Sequence, residues 1–270
     1  MTFKQTLHSN KRKGVTVITM NRPEALNTIT LQLVTEMESH LYAAATDETI
    51  RAVVITGAGR AFCAGGDLTE LDKGISGLVP PPDYPSQGRA TGRTGIQRLA
   101  RAVAVFHKPL IAQVNGDAIG AGMDIASMCD YRIVSTKARF ALSHLKVARI
   151  SADGGYFFLT RILSPAKVLE LAWTGRIIDA DEALAIGYVN MIVPPDQLEE
   201  KALEFAAQLA EGPAVAVELA KQVVYGSLQM PFEESLQQAE LAGAICEITE
   251  DAREAIKAFV EKRKPVFKGR

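Results

Sequence analysis

Residues Pro109–Asp130, PLIAQVNGDAIGAGMDIASMCD, are the stretch on which the fold prediction depends. The apolar run Leu110–Val114 is typical of a buried strand, and Asn115-Gly116 is typical of a turn. Gly120-Ala121-Gly122 then begins an apolar segment of helical length. The sequence therefore predicts a strand that leads into a glycine-rich helix start.

The predicted helix start has two properties that a reaction can use. Its free backbone N–H groups and the positive end of the helix dipole favour an anion in front of it. Asp124 follows Ala121 within one helical turn, so we expect a carboxylate beside that anion rather than in the apolar core. The stretch thus predicts an anion site and a base on one turn.

Strands and helices alternate on either side of this stretch. The patterns predict a hairpin ending with Val15–Met20, a helix from the N-cap Thr30 to about Thr46, a strand at Arg51–Thr56 followed by a second glycine loop, a helix at 96–106, and a strand at Tyr131–Ser135. This alternation favours parallel sheets with crossover helices. Segment 73–95 lacks periodicity and is interpreted as a lid. The chain after Asp153-Gly154-Gly155 is mostly helical in pattern.

Composition excludes several classes of protein. The 270 residues are 47% apolar, and 30 basic against 31 acidic residues leave a net charge of −1, which argues against a nucleic-acid-binding surface. No apolar run is long enough to cross a membrane, and the first residues lack the apolar core of a signal peptide. Three scattered cysteines indicate neither a disulfide framework nor a metal site. We expect a cytoplasmic protein without a bound metal.

Three segments and the tail carry a resemblance to a known family. They are NRPEALN (Asn21–Asn27), GRAFCAGGDL (Gly59–Leu68), KPLIAQVNGDAIGAGMDIASMCD (Lys108–Asp130) and AFVEKRKPVFKGR from Ala258. Together they resemble the enoyl-CoA hydratase/isomerase (crotonase) superfamily over nearly the whole chain. The resemblance implies an α/β fold, a crotonase-like spiral of β-β-α repeats in two roughly perpendicular sheets.

The same resemblance implies how the chain is divided and how it assembles. Residues 1–200 would form the spiral core with the active site. Residues 201–270 would form a helical C-terminal region that makes homotrimers or homohexamers and contacts coenzyme A. No membrane or nucleic-acid partner is implied.

The resemblance also implies a chemistry. Members of this superfamily bind an acyl-CoA and stabilise a thioester enolate with two backbone N–H groups, which correspond here to Gly66 and Ala121. Ala64 corresponds to the loop that receives the adenine end of coenzyme A, and Phe259 and Lys262 to tail residues that reach a neighbouring subunit's coenzyme A. No prosthetic group is implied, since coenzyme A is part of the substrate. A plain tight turn at Gly66 and a solvated helix end at Lys262 are the competing readings.

The proton-handling positions depart from the family pattern. Hydratases of the superfamily use two glutamates, and Asp124 and His144 stand at those positions. Asp153 corresponds to an aspartate used by dienoyl-CoA isomerases, 4-chlorobenzoyl-CoA dehalogenase and a camphor-diketone C–C hydrolase, although Asp is also a common helix N-cap. Histidine can exchange a proton near neutral pH, so Asp124, His144 and Asp153 are the candidate catalytic residues.

Three hypotheses for the function remain open at this point. The first is an acyl-CoA-processing lyase or isomerase that adds water to, or shifts, a double bond. The second is a C–C bond hydrolase in which His144 and Asp153 activate water for retro-Claisen cleavage of a β-dicarbonyl. The third is a non-catalytic CoA-binding homologue.

Overall fold

The computed structural model describes residues 4–69 and 97–270. The predicted lid at 73–95 lies outside them. The strands are β1 Thr6–Arg12, β2 Val15–Met20, β3 Ala52–Gly57, β4 Ala61–Cys63, β5 Leu110–Val114, β6 Asp117–Ile119, β7 Tyr131–Ser135, β8 Arg139–Ala141, β9 Ile178–Asp179 and β10 Met191–Val193. The helices are α1 Leu31–Thr46, α2 Gln97–Ala104, α3 Ala121–Met128, α4 Gly155–Leu159, α5 Pro165–Thr174, α6 Ala180–Ala185, α7 Leu198–Ala210, α8 Ala214–Ser227, α9 Phe232–Glu247 and α10 Glu250–Val260. Pro23–Ala25 and Ser143–Val147 form short 3₁₀ helices.

The strands form two sheets. The first has the order β1-β2-β3-β5-β7-β10, and the second has the order β4-β6-β8-β9. Pairing is parallel except between β1 and β2 and between β8 and β9. Three strands of the first sheet are each followed along the chain by a short strand of the second: β3 by β4, β5 by β6, and β7 by β8. The repeats therefore build both sheets at once.

The central strands of the first sheet are buried on both faces. Val53 and Ile55 of β3 belong to the larger apolar core, whereas Ala52 and Val54 belong to a second core against α7. Successive strand residues point to opposite faces, so a continuous apolar run is what a doubly covered strand requires. This explains why β3 and β5 could be recognised as short apolar segments.

Helix α1 begins where the sequence predicts. Thr30 is its N-cap, and its side-chain oxygen accepts a hydrogen bond of 3.1 Å from the backbone N of Leu33. The apolar residues at helical spacing are buried against the sheet. One prediction for the central stretch was incomplete, because β6 lies between the strand β5 and the helix α3. Three residues are too few to give a periodic signal.

The C-terminal helices are less well covered than the rest. Neither α8 nor α9 has a buried residue, although both carry many apolar side chains. The tail after α10 folds back on it, where the backbone N–H groups of Lys268 and Gly269 bond to the carboxylate of Asp251 at 2.7 and 2.8 Å. The predicted boundary at residue 200 falls within α7, and the division into two units stays a prediction. Among the described residues, no helix has the length and apolar character needed to cross a membrane.

Candidate active site

A cavity of about 600 Å³ lies between the two glycine loops and the segment that follows β8. One side is formed by Ala64, Gly65 and Gly66 together with Gly120 and Ala121. The facing side runs from Ser143 to Asp153 and includes His144. The structure thus brings the predicted anion loops and two of the three predicted proton-handling residues to one cavity.

The two glycine loops are in direct contact. Gly65 has a φ of +100°, and a Cβ there would lie 2.9 Å from the carbonyl O of Ile119 and 3.8 Å from the backbone N of Ala121. A side chain would therefore hold the loops apart. Ala121 is the first residue of α3, so its N–H has no acceptor within the helix.

Backbone pairing fixes the orientation of the Gly66 loop. Ile29 N donates to the carbonyl O of Gly65 at 2.8 Å, and Asp67 N donates to the carbonyl O of Ile29 at 3.0 Å. Ala64 N donates to Leu26 O at 3.0 Å on the other side. The N–H of Gly66 takes no part in this pairing, and within residues 4–69 and 97–270 it donates to no backbone acceptor, although both of its neighbours are fixed.

An ion pair fastens the same loop from outside the cavity. Nη2 of Arg22 lies 3.0 Å from Oδ2 of Asp67, and Nη1 of Arg22 donates to the carbonyl O of Thr28 at 2.7 Å. Burial raises the pKa of Asp67, but hydrogen bonds from Thr69 and Arg22 outweigh it and lower that pKa to about 2. Asp67 therefore stays ionised and keeps the loop tied to the Asn21–Asn27 segment.

Asp124, His144 and Asp153 form a compact cluster. Each offers a ligand atom, and these atoms all lie within 4.8 Å of one another. Nε2 of His144 is 3.2 Å from Oδ2 of Asp124, close enough for an ion pair although their orientation falls short of hydrogen-bond geometry. Oδ1 of Asp153 accepts a hydrogen bond of 2.8 Å from the hydroxyl of Ser151. The three groups can therefore exchange protons or share a ligand.

Asp124 occupies the rear of this cluster. It is fully buried, whereas His144 and Asp153 line the cavity. Gly155 makes the close approach possible, because a Cβ there would lie 1.9 Å from Oδ1 of Asp124. The expectation that Asp124 stands beside the anion site is not met directly, because Asp124 is fully buried and does not line the cavity, whereas His144, 3.2 Å from it, does.

The cluster has unfilled hydrogen-bonding capacity. Among the described residues, both carboxylate oxygens of Asp124 and the Nδ1 atom of His144 are buried without a hydrogen-bond partner. Buried polar groups are nearly always paired, and exceptions concentrate where a ligand or a reaction completes them. This feature favours a functional role for the cluster, and the catalytic roles of its residues stay a prediction.

Burial and mutual charge displace the pKa values of His144 and Asp153 from their ordinary values. Burial lowers the pKa of His144, but the adjoining Asp124 and the charge of Asp153 raise it by more, so the net shift is upward. Burial and the negative charge of Asp124 raise the pKa of Asp153 to about 8, against a smaller lowering by Ser151 and His144. Both shifts favour the protonated forms of the two groups.

The competing reading of Asp153 as a helix N-cap does not describe its position. Helix α4 is capped by Gly154, and no side chain caps it. Oδ1 of Asp153 does accept a hydrogen bond from Gly155 N, but at 3.3 Å this is a long contact. Asp153 is buried and its pKa is raised, and its catalytic role stays a prediction.

The predicted coenzyme A contacts divide into two groups. Ala64 lines the cavity as expected. Phe259 is 85% exposed on α10 and Lys262 is exposed just beyond it, and neither lines the cavity of its own chain. Their predicted contact with a neighbouring subunit's coenzyme A stays a prediction.

The cluster also has the composition of a metal site. Two carboxylates and an imidazole within 4.8 Å of one another are suitable ligands for a divalent cation. We predicted from the sequence that no metal is bound, and removal of divalent cations with a chelator would test this prediction. The raised pKa of Asp153 equally fits a network that holds a proton.

Two cations in the cavity wall were missed by sequence reasoning. Lys146 and Arg149 line the cavity on the side of His144. Neither belongs to a recognisable motif, and their positions depend on how the chain turns after the 3₁₀ helix Ser143–Val147. Only their nearness to His144 in the sequence could have drawn attention to them.

The fold and the site together define an α/β protein with two sheets of β-β-α repeats and an acid–base cluster facing two small-residue loops. Residues 10–270 match the family model described as Enoyl-CoA hydratase/isomerase. The chain is 36% identical over 255 residues to the short-chain-enoyl-CoA hydratase of Clostridium acetobutylicum, covering 94% of each. It is 34% identical over 256 residues to the (E)-benzylidenesuccinyl-CoA hydratase of Thauera aromatica, covering 94% of this chain and 96% of that one.

A solved structure shows the same likeness in three dimensions. The enoyl-CoA hydratase of Bacillus anthracis superimposes with a TM-score of 0.90 at 32% identity, covering 98% of this chain and 100% of that one. The chain therefore belongs to the enoyl-CoA hydratase/isomerase family and is an enzyme of it. The predicted crotonase-like fold and family are confirmed.

Proposed function

We propose that the protein is an enoyl-CoA hydratase, which adds water across the α,β double bond of an acyl-CoA thioester. The observation that carries the proposal is the meeting of His144 and Asp153 with Gly66 and Ala121 in one cavity. The relatives are named as hydratases, which favours hydration over double-bond isomerisation. Coenzyme A enters as part of the substrate.

The thioester carbonyl would bind between the backbone N–H groups of Gly66 and Ala121. Addition of water at the β-carbon leaves negative charge on that carbonyl oxygen. One preorganised donor of this kind contributes about 2.7–4 kcal/mol to the transition state. The fixed neighbours of Gly66 keep its donor from reorganising during the reaction.

The acid and the base would come from the opposite wall. The water oxygen attacks the β-carbon while His144 takes a proton from that water. Asp153 delivers a proton to the α-carbon, so the enzyme gains one proton at His144 and loses one at Asp153. Asp124 positions the His144 ring and stabilises its positive charge without touching the substrate. The upward shift in the pKa of Asp153 favours the protonated form that this role needs.

Subunit association is a further part of the proposal. The exposed apolar residues of the C-terminal helices include Val224, Phe232, Leu241, Ile248, Ile256 and Phe259. Because neither α8 nor α9 has a fully buried residue, we propose that they pack against other subunits in a homotrimer or homohexamer. The cytoplasmic location stays a prediction.

The test is direct. Incubation with crotonyl-CoA should remove the absorbance of the conjugated enoyl thioester, and mass spectrometry in ¹⁸O-labelled water should show one labelled oxygen in the product. A non-conjugated enoyl-CoA that becomes conjugated without gaining water would assign isomerisation instead. Cleavage of a β-dicarbonyl with uptake of water would assign the hydrolase, which no comparison favours. Absence of all three reactions would leave the non-catalytic reading, against which the compact cluster argues.

A further inference from the structure

Two positive charges stand in a part of the cavity wall that is otherwise apolar. Lys146 and Arg149 line it beside Val147, Ala148 and Ile150. Proton transfer by His144 and Asp153 requires neither of these cations. The hydration reaction therefore does not explain why these two cations line the cavity.

The turn after His144 places Arg149 close to the reacting centre. Ala148 has a left-handed φ of 53°, and the backbone N of Arg149 donates to the carbonyl O of His144 at 3.1 Å. The chain thus doubles back so that Arg149 begins next to His144. Arg149 also lines the same cavity as His144 and Asp153, which the proposed reaction places at the β- and α-carbons of a bound substrate.

The charge of Arg149 has no carboxylate to balance it. Across residues 4–69 and 97–270, neither Arg149 nor Lys146 forms an ion pair. Arg149 is half-buried, and removing a charge from water without a partner is costly. Lys146 is exposed and its stem lies against Gly175, so it is the less constrained of the two. An anionic group of a ligand would supply the ion-pair partner that Arg149 lacks.

A bound substrate could bring two kinds of anion to this wall. The phosphates of coenzyme A are separated from the thioester by the length of the pantetheine arm. The far end of a short acyl chain, in contrast, extends from the same β-carbon that His144 and Asp153 must address. The position of Arg149 beside His144 therefore favours the acyl end.

We propose that the substrate's acyl chain ends in a carboxylate and that Arg149 binds this carboxylate. This inference rests on the proposed hydratase function and specifies its substrate class as enoyl-CoA thioesters of dicarboxylic acids. The planar guanidinium suits the carboxylate because it can donate two parallel hydrogen bonds. Lys146 adds positive charge at the same wall.

The experiment compares two substrates of equal chain length, hexenoyl-CoA and hexenedioyl-CoA, which differ in a terminal methyl or carboxylate. The readout is the ratio of their kcat/KM values for hydration. Wild type should favour the carboxylate by at least about 10-fold, and Arg149→Gln should lower the ratio by about 10- to 100-fold, the range of a charge-assisted hydrogen bond. Arg149→Lys should retain part of the preference. The matched control is Arg12→Gln, which removes a cation lining a separate cavity, and it should leave the ratio unchanged.

Two outcomes would overturn the inference. An unchanged ratio in Arg149→Gln would show that Arg149 does not contact the acyl end. An equal loss for both substrates would place Arg149 on the coenzyme A portion that they share. If wild type hydrates neither substrate, the hydratase proposal fails, and calorimetric binding of the saturated pair adipyl-CoA and hexanoyl-CoA then decides the inference alone. Tighter binding of adipyl-CoA that Arg149→Gln abolishes would support it, and equal binding of the pair would reject it.

Discussion

We expect Asp153 to lower the free energy of unfolding of the protein although it is needed for hydration. The substitution Asp153→Asn keeps the size of the side chain, and the amide oxygen can still accept the hydrogen bond from Ser151. It removes only the ability to ionise. We therefore expect a more stable protein that has lost most of its activity, with hydration slowed by about 10²- to 10⁴-fold.

The magnitude follows from the pKa of Asp153. That pKa is raised from 3.8 to about 8 in the folded state. Between these values the unfolded chain has released a proton that the folded chain still holds, so stability falls as pH rises through this window. Each pKa unit corresponds to about 1.4 kcal/mol, which sets a ceiling of about 6 kcal/mol. Because Asp124 and His144 share the cluster, we expect Asp153→Asn to recover about 2–4 kcal/mol at pH 8.

The assay is urea denaturation at several pH values from 5 to 8.5, at one protein concentration because subunit association shifts the midpoint. The advantage of Asp153→Asn over wild type should grow with pH and level off above about pH 8. Asp67→Asn is the matched control, because its pKa is lowered to about 2. It should be less stable than wild type throughout this range. An advantage of Asp153→Asn that does not change between pH 5 and 8 would refute the reasoning.

The remaining predictions concern the site. The pH profile of kcat/KM should be bell-shaped, rising with loss of a proton from His144 above its ordinary pKa and falling near pH 8 as Asp153 ionises. Asp124→Asn should move the rising limb of that profile to lower pH, since the carboxylate raises the pKa of His144, and a limb that stays in place would exclude this coupling. Arg22→Met should lower kcat by about 10-fold with little change in KM, because it frees the loop of Gly66, whereas an effect on KM alone would indicate a substrate contact. Dialysis against a chelator should leave hydration intact, and loss of activity restored by a divalent cation would make the cluster a metal site.

Sequence patterns predicted the long elements better than the short ones. Helix α1, with 16 residues, has its predicted cap, because it carries apolar residues at helical spacing and a capping side chain. Strands β4, β6 and β8 each span only three residues. A period of two residues cannot be read from three positions, so the second sheet came from the family resemblance alone.

The sequence predicted which residues belong to the site, but it did not predict how they are arranged relative to the cavity. Resemblance identified Asp124, His144 and Asp153 as candidates, and the structure brings them together. That Asp124 lies behind His144 depends on the approach of Gly155, which belongs to a different helix. Such a contact joins distant parts of the chain and leaves no local pattern. The same holds for the Arg22–Asp67 ion pair, which spans two loops.

The burial of Asp124 answers the difficulty that the two family glutamates are missing. A hydration needs one proton acceptor and one donor at the substrate, and the cavity offers His144 and Asp153 for these roles. Asp124 adjusts both, because its charge raises the pKa of His144 and of Asp153 together. In this proposal His144 and Asp153 take the places of the two glutamates, and the buried Asp124 modulates their pKa values. In the proposed hydratase, the aspartate on the first turn of α3 would act on the neighbouring acid and base, while the same turn would supply the oxyanion donor of Ala121.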